Sequence, residues 1–314
     1  MFQQLADGAR LAMSATATLP DLRSQKVVVL DRVLRRSIYE RYGRAVSASH
    51  GRRRAEIKAE RNRVAKHLRH LAHFKALHES AGLPPFAILT EFAASRAFDV
   101  IAEYCGAERV YAVWHKFLTV RPQRLSDPEG ALPFHQDGYF GQYEPFIRAW
   151  IPLAPRSIGD SSPGLQFLPE PGTLNWYPID EAPTSRDYAG NETSHSVIAE
   201  LQKARPPFRP IVRTGDAIVF LGDCLHGTYV PPGAIHDRWA LEFTFIRASD
   251  EVVRGFKRDY CMFGRDTIWW PKDETIVAWY SNPQGTPPAD PFLRIDVPNA
   301  PKWLPGRWKR KSTS

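Results

Sequence analysis

The sequence predicts a mainly β core, a sandwich or barrel of short strands rather than a parallel α/β sheet, preceded by a helical region and followed by a Trp- and Pro-rich extension. Three observations carry this. From Arg109 onward, β-branched and aromatic runs are separated by Gly, Pro and Asp, with no helical period between them. Before that point, apolar residues recur at helical spacing. Prolines number 27 in 314 residues, which suits many short elements joined by tight turns.

Taken in order, residues 1–107 read as mostly helical, over 31–48, 54–80 and 90–105, with Leu83-Pro84-Pro85 breaking the second helix from the third. A strand is predicted over 110–120, ended by Pro122. Further strands are predicted over 146–153, 165–168, 211–213, 217–221, 224–230 and 238–247. The polar, Pro-rich stretch 170–210 reads as an insertion or lid. Three regions follow: helical 1–107, a β core over 108–249, and an extension over 250–314. The extension holds five of the nine Trp, a density that suits packing over a core or against a second copy of the chain in a homodimer.

Composition narrows the classes. With 43% hydrophobic residues, the chain is not a disordered one. No run approaches the roughly 18 to 20 apolar residues of a membrane helix, and the N-terminus has no apolar stretch of the secretory kind. Three scattered cysteines fit a reduced, cytoplasmic protein rather than a disulfide scaffold. The net charge is +8, with nine Lys or Arg between Arg52 and Lys75. Ile57, Val64, Leu68, Leu71 and Phe74 share that segment at near-helical spacing, so it reads as the wet face of an amphipathic helix. Neither a membrane nor nucleic acid is an expected partner; a small molecule is.

The chemistry concentrates in Leu132-Pro-Phe-His-Gln-Asp-Gly138. On a strand, alternate side chains share a face, so His135 and Asp137 point one way and Gln136 the other. They make two thirds of the 2-His-1-carboxylate triad that suits non-haem Fe(II) and leaves positions open. For the third ligand, His226 follows an apolar strand and a turn, while His236 and His195 are competing candidates. If Pro231-Pro232-Gly233 turns a hairpin, Arg238 falls opposite His226 with Cβ atoms about 5 Å apart, and Thr228 shares that face. An iron with open positions needs a co-substrate that supplies electrons to O2. A 2-oxo acid can chelate it, and Arg238 offers a planar fork for a far carboxylate. An ion pair at a strand start explains Arg238 equally well on sequence alone.

Between Val110 and Ile246 the chain resembles the phytanoyl-CoA dioxygenase family of Fe(II)/2-oxoglutarate-dependent oxygenases. The blocks that carry the resemblance are Phe134-His-Gln-Asp137, Arg148-Ala-Trp-Ile-Pro-Leu153, Gly164-Leu-Gln-Phe-Leu-Pro169, Gly215-Asp216, Leu225-His-Gly227 and Arg238, in that order. The resemblance implies a double-stranded β-helix of the jelly-roll or cupin type. It implies His135, Asp137 and His226 as iron ligands, Arg238 and Thr228 as the pair holding 2-oxoglutarate, and Trp150 and Phe117 as walls of that pocket. Fe(II), 2-oxoglutarate and O2 are the implied cofactor and co-substrates. Oxidation of a small organic substrate, most often hydroxylation and in natural-product tailoring, is the implied outcome. Related halogenases carry Gly or Ala where Asp137 stands, which argues against halogenation here. Pro169-Glu-Pro-Gly172 departs from the family's Pro-Gly-Ser/Thr-His, so a coenzyme A thioester is not assumed as substrate. Two other classes share these features: a non-catalytic β-helix that binds a ligand, and a nucleic-acid demethylase or binding protein using the basic N-terminal segment.

Overall fold

The computed structural model describes residues 19–107, 109–113, 119–127, 130–137, 147–154, 157–168, 176–179, 192–246, 260–264, 266–281 and 289–298. Phe117, Trp303 and Trp308 lie outside them. The described helices are α1 (Leu22–Gln25), α2 (Arg36–Ala59), α3 (Arg63–Ser80), α4 (Ala87–Ala93), α5 (Arg96–Cys105), α6 (His195–Ala204) and α7 (Asp273–Ser281). The strands are β1 (Val27–Leu30), β2 (Val110–Val113), β3 (Thr119–Gln123), β4 (Ile147–Ala154), β5 (Ser157–Ile158), β6 (Gly164–Leu168) and β7 (Val212–Arg213). They continue as β8 (Ala217–Leu221), β9 (Leu225–Tyr229), β10 (Arg238–Ile246), β11 (Tyr260–Phe263), β12 (Thr267–Pro271) and β13 (Phe292–Asp296).

The core is mainly antiparallel β and jelly-roll-like. A large sheet runs β1-β8-β4-β10-β2-β11-β12-β13, with β3 also on β10. A small sheet is built on β6 and β9, extended by single bridges from Phe208 to Phe167 and from His135 to His226 and Glu192. The chain alternates between them: β4 large, β6 small, β8 large, β9 small, β10 large. Period-two patterning gives the large sheet two apolar faces. Ala217, Val219 and Leu221 of β8 join the cluster under the helices, while Ile218 and Phe220 turn inward to Leu165 and Phe167 of β6. On β10, Leu241, Phe243 and Phe245 face the helices, with Phe92 of α4 edge-on to Phe243 at 4.8 Å. The interior face is left to Ala240, Glu242 and Thr244.

Several elements differ from expectation. Val27-Val-Val-Leu30, inside the region read as helical, is a strand antiparallel to β8; three successive β-branched residues outweigh their helical surroundings. The break between the two long helices falls at 60–62, where Asn62 caps α3 by accepting from the Ala65 N–H at 3.0 Å. Pro122 lies within β3 rather than ending it, which is tolerated because β3 pairs only β10 among the described residues. Strands β11 to β13, from the 250–314 region, extend the large sheet through β2.

The Gly215-Asp216 block is a turn device. Gly215 has φ +89°, and a Cβ there would stand 2.4 Å from the Tyr39 ring. The Asp216 carboxylate accepts from the backbone N–H groups of Arg32 (3.0 Å) and Arg213 (2.8 Å). On α3, Leu71, Phe74 and Leu77 are buried, while Arg69 pairs with Glu60 at 2.9 Å and Lys75 with Asp273 at 3.1 Å. Among the described residues, no helix is long and apolar enough to cross a membrane.

His78 is a structural imidazole. It is 1% exposed, donates through Nδ1 to the Phe74 carbonyl (3.0 Å), and accepts at Nε2 from the Ile88 N–H (3.4 Å), joining α3 to α4. Burial pushes its pKa down to about 4 from an ordinary 6.5. The unfolded chain therefore takes up this proton first as the pH falls. Stability present above pH 6.5 is lost on going down through about pH 4, by on the order of 3 kcal/mol. Denaturant midpoints at pH 7.5 and 4.5 check this: the drop in wild type should be largely absent in His78→Asn.

Candidate metal centre

His135, Asp137 and His226 are brought together. All three are buried, and their ligand atoms lie within 4.8 Å of one another. Asp137 Oδ1 stands 3.9 Å from His135 Nε2, and Oδ2 stands 3.5 Å from His226 Nε2. The rings are tilted at 4.2 Å between centroids. Each imidazole is held by its other nitrogen: His135 Nδ1–H donates to the Pro133 carbonyl (2.7 Å) and His226 Nδ1–H to the Cys224 carbonyl (2.9 Å). A carbonyl can only accept, so each Nδ1 carries a proton, and each Nε2 lies on the Asp137 side. Phe220 and Phe167 pack on the His226 ring at 4.6 and 6.1 Å and fix its plane.

The peptide that carries His135 lies against β9. His135 and His226 exchange both backbone hydrogen bonds, at 2.9 and 3.1 Å. This needs a glycine after His226: a Cβ at Gly227 would stand 3.0 Å from the Pro133 carbonyl group. The turn between β8 and β9 offers three successive carbonyls. Gly222 accepts from the Asp137 N–H (2.7 Å), Asp223 from Gln136 Nε2 (2.6 Å) and Cys224 from His226. The opposite-facing Gln136 thus locks the register of its two neighbours, and its Oε1 accepts from the Tyr177 N–H at 2.9 Å.

Burial alone would raise the Asp137 carboxyl. The Arg148 guanidinium and the two imidazoles outweigh burial and hold it well below the usual carboxylate range. Arg148, on β4, donates through Nε to Asp137 Oδ2 at 2.7 Å; its Nη1 meets Thr244 Oγ1 and stands 3.1 Å from Glu242 Oε1. Two imidazole nitrogens and a carboxylate on one side form a donor set for a divalent transition metal and leave the remaining positions to other ligands.

The competing histidines are elsewhere. His236 is exposed, and His195 opens α6 with its Nε2 2.7 Å from the Glu192 carboxylate. The expected hairpin is overturned. β9 pairs with β6, and β10 with β3 and β4, so Arg238 faces Gln123 rather than His226. The connection from 230 to 237 is too long for a tight hairpin turn and crosses between the sheets. Arg238 still reaches the interior: its Nη1 donates to the Gly164 carbonyl (3.1 Å) and its guanidinium lies 5.1 Å from the Trp150 ring centroid. Thr228 shares the face of His226, opposite Leu165, and its hydroxyl accepts from the Leu132 N–H at 3.2 Å.

Reading the sequence for ligand spacing missed the residues that hold the ligands. Arg148 and Gln136 lay inside quoted motifs without a role. The pair of Lys26 Nζ and Asp223 Oδ2 (2.8 Å, both buried) joins residues with no local signal.

No family model and no curated protein matches the chain. Among solved structures it is similar to AviO1 from Streptomyces viridochromogenes Tue57, at 15% identity over 74% of this chain and 96% of that one, with TM-score 0.42. It is similar to the non-heme alpha ketoglutarate dependent carbocyclase SnoK from nogalamycin biosynthesis, at 13% identity over 76% and 85%, with TM-score 0.42. EctD from S. alaskensis matches at 13% identity over 74% and 79%, with TM-score 0.42. Likenesses this distant carry no argument about activity.

The Lys26–Asp223 pair tests how the turn is held. Lys26→Met leaves the Asp223 carboxylate buried beside an apolar side chain and should destabilise the protein by about 3–5 kcal/mol. Lys26→Met with Asp223→Asn removes both charges and should recover most of that loss in urea denaturation.

Proposed function

We propose that the chain is an Fe(II)/2-oxoglutarate-dependent oxygenase acting on a small organic substrate, as the motif resemblance implies. Its 108–249 core is read as a double-stranded β-helix whose large sheet is extended by β1 from 1–107 and by β11 to β13 from 250–314. The observation that carries the reading is the locked pair of imidazoles, each with Nδ1–H on a backbone carbonyl and Nε2 aimed at one buried carboxylate. Fe(II) held there would couple decarboxylation of 2-oxoglutarate to succinate with O2-dependent oxidation of the substrate, most simply hydroxylation. The protein's part is to bind, orient and exclude water. His135, Asp137 and His226 would hold the metal. Arg238, backed by Trp150 and propped on Gly164, is suited to fork the far carboxylate of 2-oxoglutarate, with the Thr228 hydroxyl on the same interior. Phe167 and Phe220 keep the ligand side apolar.

Anaerobic addition of Fe(II) and 2-oxoglutarate should produce the weak visible charge-transfer band of the chelate, and aerobic turnover should release succinate. Both should vanish in His135→Ala, Asp137→Ala and His226→Ala with the fold retained, while His236→Ala keeps most activity. A protein that binds metal without the band or succinate would be the non-catalytic alternative.

Arg238→Ala leaves a partly desolvated carboxylate unpaired, at about 3–5 kcal/mol. The apparent KM for 2-oxoglutarate should then rise by about two to three orders of magnitude at unchanged iron affinity. Arg238→Lys should recover part of the loss. An unchanged KM would return Arg238 to a structural role.

A further inference from the structure

We infer that Arg148 is the positioning residue of the metal centre: it pins one oxygen of Asp137 so that the other is presented to the metal. The inference rests on reading His135, Asp137 and His226 as metal ligands. Arg148 is 5% exposed and sits on the interior face of β4, directly opposite Thr244 in the β4–β10 register. Asp137 belongs to the facing small-sheet side, on the peptide paired with β9. The guanidinium therefore spans the two sheets. Its Nε donates to Asp137 Oδ2 at 2.7 Å, while Nη1 meets Thr244 Oγ1 and Glu242 Oε1.

Two consequences follow for the carboxylate. A free Asp side chain can rotate about its last torsion and exchange oxygens at a metal. With Oδ2 fixed on Nε, the carboxylate plane is set, and Oδ1 is the oxygen left for the ion. The local charges are Asp137 and Glu242 against Arg148, a sum of minus one. Without the guanidinium, the Asp137 and Glu242 carboxylates would both lose the cation they share, which is costly unless one of them moves. Arginine is needed because two nitrogens act in two directions at once; a lysine ammonium at this site restores the charge but cannot hold both partners in the same geometry. A purely structural role, tying β4 to β10 through Glu242 and Thr244, is the competing account.

The two accounts separate in Co(II) binding, followed by the visible spectrum that reports coordination geometry, alongside thermal melting of the metal-free protein. The full-length protein is used in four forms: wild type, Arg148→Lys, Glu242→Gln and His226→Ala. Arg148→Lys should melt near wild type, bind Co(II) about 10- to 100-fold more weakly, and show a changed spectrum. Glu242→Gln keeps the Arg148–Asp137 bond and an acceptor for Nη1, so its affinity should stay within about threefold of wild type, on the premise that only the bond to the ligand matters. Should Arg148→Lys fail to fold, Thr244→Val takes its place: it leaves every charge in place, removes only the hydroxyl that props the guanidinium, and should weaken Co(II) severalfold. Wild-type affinity and spectrum in the folded Arg148 or Thr244 variant would overturn the inference, as would equal weakening in Glu242→Gln. Wild type that binds Co(II) no better than His226→Ala would instead overturn the ligand assignment itself.

Discussion

Three successive carbonyls in the turn after β8 set the geometry of the candidate site. Gly222 takes the Asp137 N–H, Asp223 the Gln136 amide and Cys224 the His226 imidazole. Planar peptides joined in a tight turn cannot reorient one carbonyl without moving the next. One short segment therefore fixes the height of the His135–Asp137 peptide against β9 and the rotation of a ring on β9. The turn in turn hangs on the N-terminal strand: the Leu221 N–H donates to the Lys26 carbonyl at 3.0 Å, and Lys26 Nζ pairs with the Asp223 carboxylate. Lys26 adopts a left-handed φ of 56°, ending α1, to make that reach.

The large sheet keeps two environments apart at one-residue resolution. Along β4, Ile147, Ala149, Ile151 and Leu153 pack under the helices, while Arg148 and Trp150 face inward. The outer packing supplies rigidity through apolar burial, at roughly 25 cal/mol per Å2 removed from water. The inner face can then hold opposed charges, Arg148 with Asp137 and Glu242, and Lys26 with Asp223. A one-residue slip in β4 would send Arg148 into the helix-covered core and Ala149 to Asp137.

The candidate triad was legible because it needs only a short spacing and a third histidine near a strand end. His135 and Asp137 converge although the expected strand is reduced to an isolated bridge at His135, and His226 follows a recognisable apolar strand and turn. Arg238 pointed inward as expected, yet for a different reason: sheet crossing brings it to Gly164 and Trp150, not a hairpin to His226. What stayed illegible lies in long-range pairing. Lys26 meets Asp223 across 197 positions and Arg148 meets Thr244 across 96, and no local pattern encodes such distances. Strand β1 carried a local signal in its three valines, but its pairing with β8, almost two hundred residues downstream, did not show.

Charge bookkeeping inside the core bears on what the proposed centre would accept. Among the described residues, Arg148 and Arg238 offset Asp137 and Glu242, and the Lys26–Asp223 pair is neutral by itself. Glu192, 1% exposed and 2.7 Å from His195 Nε2, is a further buried carboxylate, on the peptide that bridges His135. A divalent ion held there would bring two positive charges among these groups, and carboxylates entering with it would offset that charge. A dicarboxylate could place one carboxylate at the ion and the other at the Arg238 guanidinium, which a monocarboxylate could not do. The proposed use of 2-oxoglutarate is thus supported by the inward placement of the Arg238 guanidinium fork.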